Sequence, residues 1–97
     1  MEIGGKMTDS KFNNKKVEVN GESYVIQKYP LLEALKIKKS WLDKNLPEGI
    51  DDIKMYEACL DNFVINPKKK INDFDNLEDL ADLCMECLEY NFMGKSK

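Results

Sequence analysis

Val17-Glu18-Val19-Asn20-Gly21-Glu22-Ser23-Tyr24-Val25-Ile26 is the stretch on which the fold turns. Asn20-Gly21 is the dipeptide best suited to the two positive φ angles of a type I′ turn, and β-branched and aromatic residues stand on either side of it. Apolar and polar residues alternate in the first arm, Val17-Glu18-Val19, and less clearly in the second, Tyr24-Val25-Ile26. The stretch predicts a β-hairpin over residues 17–27. A lone hairpin is marginal in water, so this one must pack on something.

Beyond the hairpin the chain reads as helix. Tyr29-Pro30 marks the switch, because proline's missing N–H costs nothing in a first helical turn. From there Leu31, Ala34, Leu35, Trp41 and Leu42 fall on one face with Ile37 beside them, predicting a helix over about 30–45 that Pro47 and Gly49 close. Lys38 sits within that stripe, its stem expected to cover apolar surface while the ammonium reaches water. Asp51 or Asp52 can cap a second helix, whose apolar face is Ile53, Tyr56, Leu60, Phe63 and Val64. It is expected to run over 52–65, because Asn66 before Pro67 is pushed out of the helical region. Asn76 caps a third helix over 76–92, with Leu77, Leu80, Ala81, Cys84, Leu88 and Phe92 as its stripe.

On the other side of the hairpin, residues 1–15 are rich in Gly, Lys, Asn and Ser without periodicity, which predicts a disordered tail and leaves Met7 as an alternative start. The fold expectation is therefore α+β and mainly α: an N-terminal β-hairpin followed by a three-helix bundle. It forms one domain over 16–93, with a short tail at 94–97.

The residue inventory excludes several classes of function. All fifteen basic residues are lysine and histidine is absent. Without arginine there is no bidentate fork for phosphate or guanine. Without histidine the commonest general base and metal ligand are missing. A net charge of −3 gives no electrostatic footprint for nucleic acid. No stretch approaches the roughly 18 apolar residues of a membrane span, and Met1-Glu2-Ile3-Gly4-Gly5-Lys6 lacks the apolar segment of a secretory signal. Residues 71–97 carry seven acids against two lysines, so the third helix presents either a solvated acidic side or an acidic surface for a basic partner.

Cys84-Met85-Glu86-Cys87 has redox spacing, but such a pair needs a lowered thiol pKa, and Glu86 and Glu89 act in the opposite direction. Structural zinc needs four ligands, and with Cys59 the chain offers three thiols. These cysteines are expected to be buried as small hydrophobes in a reducing cytosol. The paired acids Asp51/Asp52, Asp73/Asp75 and Glu78/Asp79 serve as caps and solvated charge, and Lys68-Lys69-Lys70 reads as a solvated connector. With no nucleophile–base pair, phosphate loop or metal set, no catalytic, cofactor-binding or metal-ligating residues are assigned, and the expectation is not an enzyme.

The width of the third helix's apolar arc bears on binding. Leu83, Met85, Cys87 and Tyr90 extend it beyond the ~100° a surface helix needs. Either the helix packs on two neighbours within the fold, or one flank awaits a partner. On the second reading Leu83, Cys87 and Tyr90 are the partner-binding residues.

The hairpin from Val17 to Ile26, the helix ending in Phe63-Val64-Ile65-Asn66-Pro67 before a short basic connector, Phe74, and the acidic Leu77–Phe92 helix come in an order that resembles the small tail assembly chaperones of long-tailed bacteriophages and prophages. The resemblance implies a cytoplasmic, non-enzymatic chaperone or adaptor that shields apolar helices of the tape measure protein, with the tape measure or tail tube protein as partner. No cofactor, nucleic acid or membrane is implied, and the chain acts alone or as a homo-oligomer. A head–tail connector component of the virion and a small regulatory or inhibitor module are the alternatives.

Overall fold

The computed structural model describes residues 13–93, so the expectations for residues 1–12, including the start at Met7, and for the tail at 94–97 lie outside the described residues. Strands β1 (Asn13–Val19) and β2 (Glu22–Lys28) form the expected hairpin, with Val19 opposite Glu22 and Val17 opposite Tyr24. Asn20 and Gly21 both take positive φ, 50° and 83°, as a type I′ turn requires. The hairpin begins earlier than expected: residues 13–15, expected as tail, pair with residues 26–28. Val17, Val19, Tyr24 and Ile26 turn their side chains into the core at every second position.

Helix α1 (Leu31–Lys39) is shorter than the expected 30–45. Three tight i→i−3 turns carry the chain from Ser40 to Leu42. The loop after them folds back, Asp43 N–H donating to Gly49 O and Asp51 N–H to Trp41 O. Helix α2 (Asp52–Ala58) is capped by the Asp51 carboxylate, which accepts from Lys54 N–H at 3.2 Å, and it continues as a wider π turn over Cys59–Phe63. A single 3₁₀ turn, Ile71–Asp73, precedes α3 (Leu77–Leu88), which Asn76 caps at 2.8 Å and which also widens to a π turn over Glu89–Met93.

The expected hairpin with a three-helix bundle is not the architecture. The helical chain of α2 stops at Phe63, and Val64–Asn66 leaves it as a third strand, β3, antiparallel to β2, giving a three-stranded sheet in the order β1-β2-β3. Several local preferences agree on this. Val64 and Ile65 are β-branched, and Asn66 is disfavoured as helix because it precedes a proline. The Lys68 ammonium then takes the carbonyls of Leu60, Asp61 and Val64 at 2.9–3.2 Å, satisfying the helix end where the chain turns into the strand. Instead of bundling, α3 packs against β1 and β2, and the end of α2 packs against β2 and α3.

Trp41, Phe63, Ile26, Leu60, Leu83, Val64 and the three cysteines fill the space between sheet and helices. Tyr29, Phe63, Phe92 and Trp41 run through it as edge-to-face rings with centroids 5.6, 6.2 and 6.4 Å apart. Asn91 is the one buried polar side chain among the described residues. Its oxygen accepts from Tyr29 N–H at 2.8 Å, and its amide donates to Gln27 O and Cys87 O at 3.0 Å each, pinning the end of β2 to the end of α3.

Candidate functional site

Helix α1 carries more apolar surface than the core takes up. At about 100° per residue, Ala34, Ile37 and Trp41 point one way, while Leu31, Leu35 and Leu42 lie somewhat more than a quarter turn round from them. Ala34 and Trp41 are buried and Ile37 is half-buried, which fixes the inward direction. Leu31 and Leu32 are left 61% and 62% exposed, and Leu35, Leu42 and Leu46 are exposed as well. The single face expected from the sequence is thus two faces, one buried and one outward. Leu31, Leu35 and Leu42 make a stripe along the helix that the tight turns after Lys39 extend.

This outward stripe sits on a fixed support. Trp41 is buried edge-on against Phe92, and the Lys38 ammonium lies 5.7 Å from the centre of the Phe92 ring, as expected for a lysine whose stem lies on apolar surface. On the helix wheel Lys38 and Lys39 border the stripe on its two sides, with Lys36 beyond Leu32. Among the described residues none of these three ammoniums has a hydrogen-bonded or ion-paired partner. Glu33 is on the far side of the helix.

The residues expected to bind a partner are placed elsewhere. Leu83 and Cys87 are fully buried and Tyr90 is 6% exposed. Tyr90 lies beneath the hairpin, with the Lys15 and Lys28 ammoniums 5.3 and 5.8 Å from its ring centre. The part of the α3 arc that carries Leu83, Cys87 and Tyr90 is therefore covered inside the fold, by the sheet and by the end of α2, while Leu77 and Met85 stay 65% and 50% exposed. Leu83, Cys87 and Tyr90 offer a partner no surface in this structure.

The lysine run is not a free connector either. While Lys68 closes the end of α2, Lys69 donates to Glu22 Oε1 at 2.8 Å and to the Tyr24 hydroxyl at 3.1 Å, between the rings of Tyr24 and Phe74. Hydrogen bonding to Glu22 raises the Lys69 ammonium to about 12, and the same bond lowers the Glu22 carboxyl below its ordinary value. A groove of about 550 Å³ lies between α2 and this connector, lined by Ile53, Leu60 and Ile71 together with Glu57, Asp61 and Lys70. Its charges are mixed and it converges on no polar centre.

Cys59, Cys84 and Cys87 are free thiols buried side by side. Hydrogen bonding with Cys84 and then burial push the Cys59 thiol up, and burial pushes up Cys87, with Glu86 a lesser cause. At Cys87 the neighbouring acid thus matters less than the dryness of the site. Among the described residues no cluster of cysteine and carboxylate side chains is arranged to hold a metal ion, and no helix is long and apolar enough to cross a membrane.

The leucine face and Asn91 are the features that the sequence reading does not single out. The leucine face has a signal in the width of the α1 arc, from Ile37 round to Leu32, which exceeds what one contact can cover. Asn91, one asparagine among many, carries none. In comparison with known proteins, the chain matches no family model, no curated protein and no solved structure.

Proposed function

We propose that this protein is a non-enzymatic chaperone or adaptor of the kind its sequence resembles, acting in the bacterial cytoplasm during phage tail assembly. It captures apolar helical segments of the tape measure protein and shields them until the tail tube forms around them. The observation that supports this reading is the outward leucine stripe of α1, Leu31, Leu35 and Leu42, held on a helix whose other side is anchored by Trp41. An amphipathic helix laid along such a stripe buries its own i, i+4, i+7 residues against it. Contiguous exposed apolar surface of this kind is characteristic of a protein-binding face.

Co-expression with fragments of a tape measure protein tests the proposal. At least one helical fragment that is insoluble alone stays in solution and co-purifies with the chain. If no fragment along the whole tape measure protein does so, the function is something else.

A further inference from the structure

Along α1 the leucine stripe is bordered by lysines. Lys38 lies between the stripe and the core and Lys39 on its solvent side, with Lys36 one step further round, and all three ammoniums lack a hydrogen-bonded or ion-paired partner among the described residues. The nearest carboxylates in sequence offset them only in part. Glu33 faces away on α1, and Asp43, beside Leu42, accepts from Asn45 N–H at 2.9 Å and sets one carboxylate against three lysines. A self-complementary pairing of two α1 faces would set these lysine rows against each other, which like-charge repulsion opposes. The surface instead complements a helix that offers apolar residues in the middle and carboxylates along both edges.

We infer that the α1 face takes an amphipathic helix of another protein whose apolar stripe is flanked by Asp and Glu. This rests on the leucine stripe being the docking site and adds the chemistry of what docks there. The leucines supply the buried contact. The lysines select the partner and set its register, because rim charges act more on specificity and encounter rate than on affinity. The energy available from each exposed pair is small, but replacing a carboxylate flank by an ammonium flank turns attraction into repulsion at several places at once.

The test uses the full chain and two labelled synthetic helices of about 18 residues, roughly five turns, with the same leucine stripe and flanks of either glutamate or lysine. Fluorescence anisotropy is read at low salt and at about 1 M salt, where the Debye length falls to about 3 Å. The glutamate-flanked helix binds about tenfold more tightly at low salt, the preference collapses at high salt, and Lys36→Glu with Lys39→Glu reverses it. The Leu35→Ser variant, which alters an exposed side chain, weakens both helices alike. Equal, salt-insensitive affinity for the two helices overturns the charge assignment while leaving the leucine stripe as the docking site. Binding of neither helix by folded protein overturns both. Salt-sensitive self-association that Leu35→Ser abolishes makes a second copy the occupant and overturns the assignment to another protein.

Discussion

Leu83 and Leu35 show how differently one residue type behaves in this molecule. Leu83 is fully enclosed between α3, the sheet and α2, whereas Leu35 is 42% exposed on α1. Leu83→Ala is expected to cost about 2–5 kcal/mol through lost contacts and a residual cavity. Leu35→Ser should stay within about 0.5 kcal/mol of the parent. Urea denaturation of the two variants measures both, and a large loss from Leu35→Ser would mean that the stripe is core. Asn91 is a second sharp case, because Asn91→Ala removes one acceptor and two donors from a dry site. It should cost at least roughly 1–3 kcal/mol, the penalty for a single buried group left unpaired, and show as a lowered Tm. The Lys69–Glu22 pair gives a pH signature. The Glu22 carboxyl is lowered, so its contribution is present above its ordinary value of 4.5 and is lost as pH falls below that. The Lys69 ammonium is raised, so its share is present below 10.5 and fades as pH rises through about 12. Lys69→Met should therefore flatten the acid limb of the stability profile only slightly, since both groups are exposed to solvent screening.

At the scale of elements, the end of α2 decides the topology. The Phe63–Val64 step ends a helix and starts a strand, and Lys68 closes three carbonyls at that point. Lys68→Met should loosen the last turn of α2 and the short β3 strand together, seen as faster amide exchange there while the β1–β2 hairpin is unchanged. Exchange in β3 that stays as slow as in the parent would show that the strand holds itself. The hairpin is legible in the sequence because Asn20-Gly21 and the alternation around it are local signals. The caps at Asp51 and Asn76 are legible for the same reason, each being a short polar side chain serving N–H groups three residues on. Strand β3 is not, because Phe63-Val64-Ile65 fits a helical stripe as well as a strand, and only the open edge of β2 decides between them. The role of the lysine run is hidden because the partners of Lys69, Glu22 and Tyr24, lie more than forty residues away in sequence. On α3 the apolar arc is visible in the sequence but its use is not, since the number of neighbours a helix has is set by the fold.

For the whole molecule, the sheet covers one side of α3, α2 covers another, and α1 is held only along Ala34, Ile37 and Trp41. That leaves the leucines of α1 outside the core, as Ile53, Leu77, Met85 and Met93 are on other elements. A small domain rarely displays so many leucines in sixteen residues of chain without a use for them. In the proposed function that use is capture of an apolar helix. The most direct measurement compares the parent with a Leu31→Ser, Leu35→Ser, Leu42→Ser variant for retention of a tape measure fragment, with circular dichroism melts of both proteins alongside. The predicted result is a near-complete loss of capture with Tm lowered by roughly 10 °C at most, as expected for three exposed positions at about 0.5 kcal/mol each. Full capture by a folded triple variant would contradict it.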